Sequence, residues 1–413
     1  QPVFPKYTPG TTSNIVFTGG SSGTHKGVEL SSNGFNAVAQ SLDHVTNLKT
    51  GDIFMGNLPY FIAFGKLSLH YALCKNANLN LTIKALPQDF TEEFYRIKPQ
   101  GAFEGPIHWE RFVKSVIEES KLSMGKLNEM LDKYGDEEYE SVLKKELIDH
   151  YNPKFNVDFL KMPVSGGEQL VNFLEKTAGI VFDVYGFNGG LWNGIGMTEM
   201  TAPVAVKRGI LNSEGSLGPL IPYNECTILD NDGKEVPKGE PGLLYLSGPG
   251  MMLGYYGNPE ETKKAIVEID GKKMLNTDDI VRMNEQGELI FVDRRKRSFV
   301  VGVNNVYPQR IETLISDIPG VFETIVTKVK DEEKQFLPKY HIALSDATVD
   351  TDELKMRIEK KVKENLGDSY MPGYYEFHYE PLPRTASNKL DPKPLQAKDD
   401  EMYKAIQKSK KNN

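Results

Sequence analysis

The stretch Thr18-Gly19-Gly20-Ser21-Ser22-Gly23-Thr24-His25-Lys26-Gly27 combines glycines, hydroxyls and one cation within ten residues. Glycines let the backbone fold close around an anion. Exposed N–H groups and hydroxyls supply hydrogen-bond donors, and Lys26 adds a point charge, so the chemistry is that of a phosphate cradle. It is not a Walker loop, which needs Gly directly before the Lys and Ser or Thr directly after; His25 and Gly27 stand there instead. Gly19 to Gly23 also fits the G-x-S-x-G nucleophile elbow of serine hydrolases, with Ser21 as nucleophile. That elbow turns directly into its helix, whereas Lys26, Gly27 and a further extended stretch intervene here. Its base would have to be His341 or His378, far downstream and without supporting context, so the phosphate reading is preferred.

Outward from this loop, Asn14 to Phe17 reads as a short buried strand, and an amphipathic helix follows Ser32, a good N-cap. Strand, loop and helix in that order predict an α/β protein. Apolar β-rich runs at Ile53 to Leu58 and Asp158 to Val164 alternate with helical stretches such as Arg111 to Glu119, which favours a mostly parallel sheet with flanking helices. Residues 120 to 150 are Lys/Glu-rich with apolar residues at helical spacing and predict a surface helix pair. From Gly215 to Val292, turn pairs as in Leu229 to Lys234 and Glu285 to Leu289 predict hairpins of a small β subdomain. After the basic run Arg294-Arg295-Lys296-Arg297, three strands (Phe299 to Val303, Glu323 to Val329, Lys339 to Leu344) and one helix (Thr351 to Leu366) suit a separate α+β domain.

The 413 residues carry 49 Lys plus Arg against 57 Asp plus Glu, a formal charge of −8. That balance argues against nucleic acid as a partner, because phosphate binding is driven by a basic surface. Two cysteines, Cys74 and Cys226, form no disulfide framework, which favours a reducing, cytoplasmic compartment. No apolar run approaches the roughly 20 residues needed to span a bilayer, and no secretory signal is visible. The chain starts at Gln1 without Met, the expectation being a processed or truncated start.

The motifs in order resemble the adenylate-forming superfamily, which includes acyl-CoA synthetases, firefly luciferase and the adenylation domains of nonribosomal peptide synthetases. Thr18 to Gly27 is similar to its phosphate loop T-[SG]-G-[ST]-[ST]-G-x-P-K-G, with His25 in place of Pro; Thr18, Gly20, Ser21, Ser22, Gly23, Thr24 and Lys26 would hold phosphate. Ser165-Gly166-Gly167-Glu168 resembles the adenine-contacting loop, through Gly167 and Glu168. Asn193-Gly194-Ile195-Gly196-Met197-Thr198-Glu199 resembles N-G-Y-G-x-T-E, which implies a phosphate contact for Thr198 and magnesium for Glu199; Ile195 replaces the aromatic that stacks on adenine. A carboxylate suits that hard cation on ATP phosphates. Thr277-Asp278-Asp279 resembles T-G-D, so Asp279 would take the ribose hydroxyls, and Asp278 stands at the customary Gly.

Arg294 in Asp293-Arg294-Arg295-Lys296 matches G-R-x-[DK], which implies a second ribose contact and makes Lys296 the pivot. Gly302 and Val303 fall in the strand and turn that line the family's pantetheine tunnel. Pro383-Arg384-Thr385-Ala386-Ser387-Asn388-Lys389 resembles P-x-T-x-x-G-K, with Asn388 for Gly, and makes Lys389 the catalytic lysine of the first half-reaction. The acyl-pocket segment Leu58 to Gly65 includes Tyr60, Phe61 and Ile62, the last where relatives often have His. It lacks the Asp that pairs with an amino-acid ammonium in amino-acid-activating relatives, so an uncharged acid is expected.

The resemblance thus implies a large ATP- and acid-binding domain (1–293), a hinge (294–297) and a mobile small domain (298–413). Relatives carry on the order of 150 residues before the phosphate loop, so a missing N-terminal segment, a partner chain or a smaller version of the fold is expected. The implied function is activation of a small carboxylic acid by ATP and Mg2+ to an acyl-adenylate, then thioester formation with coenzyme A. A carrier-protein acceptor, or nucleotide binding without catalysis, stands as the alternative.

Overall fold

The computed structural model describes residues 10–18, 26–80, 89–167, 170–316, 318–345, 347–384 and 390–411. The chain divides into two compact units, Gln1–Met124 with Glu140–Phe291, and Gly125–Tyr139 with Val292–Asn413.

The first unit is built on a six-stranded sheet in the order Asn78–Asn80, Ile53–Met55, Gly101–Glu104, Met162–Ser165, Trp192–Met197, Ala202–Lys207. All neighbours are parallel except the last pair. Gly101–Glu104 and Met162–Ser165 are buried at every position, as central strands covered on both faces must be. Aromatic side chains fill one layer: Phe103 meets Phe54 edge-on at 4.9 Å and stacks on Phe64 at 5.2 Å. Helix Pro106–Glu119 starts with Pro at its first turn, where the missing N–H costs nothing. It buries Trp109, whose indole N–H donates to the Val164 carbonyl at 3.2 Å.

Three local expectations change. Asn14 to Phe17 is not a buried strand entering an α/β crossover. Thr12–Phe17 pairs antiparallel with Gly27–Ser31, and Gly254–Tyr255 adds a third strand. Phe17 is 61% exposed and only Val16 is buried within it, the alternation of an edge strand with one wet face. The helix Ser32–Val45 is capped one residue earlier than expected, by Ser31, whose hydroxyl accepts the Gly34 N–H at 3.0 Å. The expected pair of helices over 120–150 is one helix, Met124–Asp149. It contains no Pro, and an internal Gly such as Gly135 costs only about 1 kcal/mol, too little to end it.

The β subdomain is a five-stranded sheet: Ile266–Ile269, Lys272–Met283, Gly242–Ser247 and Glu225–Leu229 in order, with Leu289–Arg294 also pairing Lys272–Met283. The second unit holds the antiparallel pair Val321–Asp331 and Gln335–Leu344, with Tyr374–His378 parallel to the latter. Helices Pro308–Ile315 and Thr351–Asn365 bury Ile311, Ile315, Leu354, Ile358 and Val362 in its core. Helix Lys393–Lys411 lies against Val321–Asp331. Among the described residues no helix is long and apolar enough to cross a membrane.

Candidate active site

Glu199 sits at the tip of a hairpin. Strands Trp192–Met197 and Ala202–Lys207 pair up to Met197 opposite Ala202, and Thr198–Met200 forms a single tight turn between them. The strands approach so closely that a Cβ on Gly196 would lie 2.4 Å from the Ala202 carbonyl oxygen, which is why this position of the motif is glycine. The turn closes with Thr201 at φ 61° and Ala202 at φ 86°, a costly conformation for side-chain-bearing residues. The Thr201 hydroxyl, donating to the Gly250 carbonyl at 2.7 Å, and the Met252 N–H, donating to the Glu199 carbonyl at 2.7 Å, brace it.

The half-buried Glu199 carboxylate accepts the Tyr255 hydroxyl at 2.8 Å. Lys26, at the exit of the glycine loop, lies 4.7 Å above the Tyr255 ring and pairs with Glu261. Hydrogen bonds from Lys26 and Lys264 hold the Glu261 carboxyl at about 2. Burial and the Glu199 carboxylate both push the Tyr255 phenol upward, so it remains a donor at neutral pH. Thr18 donates its N–H to the Lys26 carbonyl at 3.0 Å, closing the neck of the loop. Gly20, Ser21, Ser22, Gly23 and Thr24 lie outside the described residues, as does Glu168. The structure therefore brings Thr18, Lys26, Thr198 and Glu199 into one neighbourhood, linked by Tyr255 and Glu261.

Asn193 is buried and its Oδ1 accepts the Gly194 N–H at 2.9 Å; Ile195 packs against the core. Gly167 has φ 86°. Asp279 is 1% exposed within a bulge, because Leu243 faces Ile280 while Tyr245 faces Asn276. The Thr277 hydroxyl donates to the Leu244 carbonyl at 2.8 Å and accepts the Asp279 N–H at 3.1 Å. Asp278 takes φ 61°. This left-handed backbone explains the customary glycine there, and Asp is among the few residues that tolerate it. In the acyl segment, Ile62 packs on the core, the Tyr60 hydroxyl donates to the Gly56 carbonyl at 3.3 Å, and Phe61 stands 77% exposed.

In the second unit, Arg294 and Lys296 are exposed on a turn closed by the Arg297 N–H donating to the Arg294 carbonyl at 2.9 Å. The buried Asp293 accepts the N–H groups of Arg294 at 2.6 Å and Gln309 at 2.8 Å, while desolvation pushes its carboxyl up to about 6. Gly302 at φ 63° and Val303, 94% exposed, form the tip of the hairpin Phe299–Val301/Asn304–Val306. Lys389 lies outside the described residues; the bridge Arg384 to Leu390 flanks its segment.

Sequence reasoning missed Tyr255, Glu261 and Glu104. Asn258-Pro259-Glu260-Glu261 is a legible helix start, with Asn258 capping Glu261 at 3.2 Å, but nothing local says that Glu261 meets Lys26. Glu104 ends the strand Gly101–Glu104 fully buried, opposite Ser165, with His108 Nδ1 3.6 Å from its Oε2. Burial raises its carboxyl well above the usual range. It lies at the carboxyl end of the parallel strands, where open α/β sheets bind ligands.

A hairpin-borne carboxylate beside a lysine-terminated glycine loop, on a parallel sheet with a β subdomain, defines a nucleotide-binding α/β enzyme class. The profile of the AMP-binding enzyme family matches residues 1–256, and the chain belongs to that family. It is 35% identical over 165 residues to a long-chain-fatty-acid–CoA ligase of Escherichia coli O6:H1, a match covering 40% of this chain and 29% of that protein. The match thus spans less than a third of that relative's length. It is 27% identical over 400 residues to the D-alanine–D-alanyl carrier protein ligase of Lacticaseibacillus casei, covering 92% of this chain and 70% of that one. The fold is shared with the o-succinylbenzoate CoA synthetase of Bacillus subtilis in complex with its acyl-adenylate intermediate, at a TM-score of 0.74 and 20% identity over 94% of this chain and 70% of that one.

Proposed function

We propose that the chain catalyses ATP-dependent ligation of a carboxylic acid to a thiol, coenzyme A being the acceptor. The observation that carries this reading is Glu199, held by the Tyr255 hydroxyl beside Lys26, in a chain of the AMP-binding enzyme family. In the first step a carboxylate oxygen attacks the α-phosphorus of ATP and the bond to pyrophosphate breaks. In the second, a thiol sulfur attacks the acyl carbon, the bond to AMP breaks, and the thiol proton leaves to solvent.

The glycine loop and Lys26 hold the phosphates, and Asp279 and Arg294 take the ribose hydroxyls. Lys389 bridges the carboxylate and α-phosphate oxygens, stabilising charge that develops in the transition state; one such preorganised donor is worth about 10²- to 10³-fold in rate. Glu199 fits Mg2+ because Tyr255 occupies one carboxylate oxygen and leaves the other as a hard ligand. Bound on the phosphates, the ion would offset their charge. Rotation about Lys296 then withdraws Lys389 and presents the Gly302–Val303 tip to the incoming thiol, so one site serves two reactions.

The lack of an acidic residue in the segment Leu58 to Gly65 favours an uncharged aliphatic or aromatic acid, and the two-cysteine composition favours a cytoplasmic setting. The similarity to a carrier-protein ligase over 92% of the chain supports a second acceptor, a phosphopantetheine arm on a carrier protein. Pyrophosphate release from Mg·ATP over a panel of aliphatic and aromatic acids separates these readings. AMP turnover that rises with free CoA supports the first, turnover only with a loaded carrier supports the second, and ATP binding without acid-dependent release overturns both.

A further inference from the structure

His341 and His378 stand apart in sequence, but the sheet of the second unit brings them together. In the parallel pair of Gln335–Leu344 and Tyr374–His378, His341 lies opposite Glu376, and His378 is two residues beyond it. Side chains repeat every second residue on one face of a strand, so Glu376 and His378 project beside His341. His341 Nδ1 lies 3.3 Å from His378 Nε2 and 3.7 Å from Glu376 Oε2, and His378 Nε2 lies 3.9 Å from Glu376 Oε1. One ligand atom from each of the three lies within 4.8 Å of the other two, and donors on a zinc ion at about 2.0–2.1 Å are separated by about 3.3 Å along a tetrahedral edge, so an inward shift of the partly exposed Glu376 and His378 side chains lets the three share one ion.

The hydrogen bonds around His341 fix the orientation of its ring. His341 Nε2 is 2.9 Å from Asp399 Oδ2, which also accepts the Thr327 hydroxyl at 2.7 Å, while Asp399 Oδ1 accepts from Lys339 at 2.6 Å. Paired with the Lys339 ammonium and accepting from Thr327, the Asp399 carboxylate serves as acceptor to His341 Nε2, which leaves His341 Nδ1 facing His378 and Glu376. A carboxylate behind a ligating histidine is the usual support of a metal-bound imidazole. Glu376 accepts from Lys339 at 2.7 Å and from Lys398 at 2.6 Å, one bond on each oxygen, which leaves a lone pair on each for a metal. His341 is fully buried, whereas the side chains of His378 and Glu376 are 21% and 25% exposed, so an ion can enter from solvent and keep a water as fourth ligand.

We propose that His341, Glu376 and His378 form a binding site for a divalent transition-metal ion of the zinc type, oriented by Asp399. The ion takes the place of the direct contact between the two imidazoles. It joins the two strands and, through Asp399, the C-terminal helix Lys393–Lys411, whose Gln396 already hydrogen-bonds both the N–H and the carbonyl of Lys328. The site is independent of the proposed ligase chemistry.

The test is titration of the full chain, carrying Cys74→Ser to remove an exposed thiol, with Zn2+ against a chromophoric chelator and with Co2+ read by visible absorption. The site predicts one Zn2+ per chain and intense tetrahedral cobalt bands. His378→Ala, with fold checked by circular dichroism, should weaken Zn2+ by more than about 100-fold, and Asp399→Asn by about 10- to 100-fold, the usual cost of losing an outer-shell partner. Should His378→Ala misfold, His378→Gln serves in its place. Binding below one equivalent, or unchanged affinity in the His378 variant, would overturn the site and leave an ion-pair network.

Discussion

The Tyr255 hydroxyl donates to Glu199 at 2.8 Å while its ring lies 4.7 Å under the Lys26 ammonium, so one side chain fixes both the carboxylate and the cation. Hydrogen bonds to charged groups are worth about 1.5–3 kcal/mol. Tyr255→Phe keeps the ring and removes the donor, and pyrophosphate release should fall by roughly 10-fold or more with the fold intact; a rate equal to wild type would show that Glu199 needs no such anchor. Glu104 gives a prediction of opposite sign. Its carboxyl is raised by burial above the ordinary 4.5, so the folded state holds that proton more tightly than the unfolded chain. The stability this contributes is complete below about pH 4.5 and is lost as pH rises through the folded value. Glu104→Gln, permanently neutral, should therefore melt higher than wild type at pH 8, with the gap closing on acidification. A lower melting temperature at pH 8 would show that the charged form is satisfied through His108.

At the scale of elements, Ser31 begins the helix packed beside the glycine-loop hairpin. Ser31→Ala should destabilise the first unit by about 1 kcal/mol, read as a lowered urea midpoint with unchanged slope. No change would mean that the Gly34 N–H finds another acceptor. The cap was legible as a serine before an amphipathic run, but Ser31 and Ser32 stand side by side, and only the backbone decides which one leaves the helix. The strand Thr12–Phe17 was misread because a short apolar run looks the same in a buried crossover and in a hairpin edge; the partner Gly27–Ser31 lies beyond a loop whose composition suggested a phosphate cradle, not a return. Asp278 is the converse case. Its motif position was legible, while its φ of 61°, the reason the family uses glycine there, depends on the bulge against Leu243–Tyr245.

At the scale of the molecule, motif order along the chain was sufficient to name the family, since each motif is local and the fold sets their sequence. Long-range pairings were not legible: Lys26 with Glu261 and His341 with His378 across a parallel ladder both depend on topology. The proposed hinge makes a whole-chain prediction. Lys296→Pro should impair one half-reaction by at least about 10-fold while sparing the other, since a single domain arrangement serves each step. Equal losses in both, or none, would locate the pivot elsewhere. The most direct test of the account is acid-dependent pyrophosphate release from Mg·ATP, measured side by side for the wild-type chain and Glu199→Gln over one panel of acids. The account predicts release with at least one acid by the wild type and a loss of about 10²-fold or more in the variant, the scale of one preorganised electrostatic contact. Equal release by both proteins, or ATP bound without release for any acid, would contradict it.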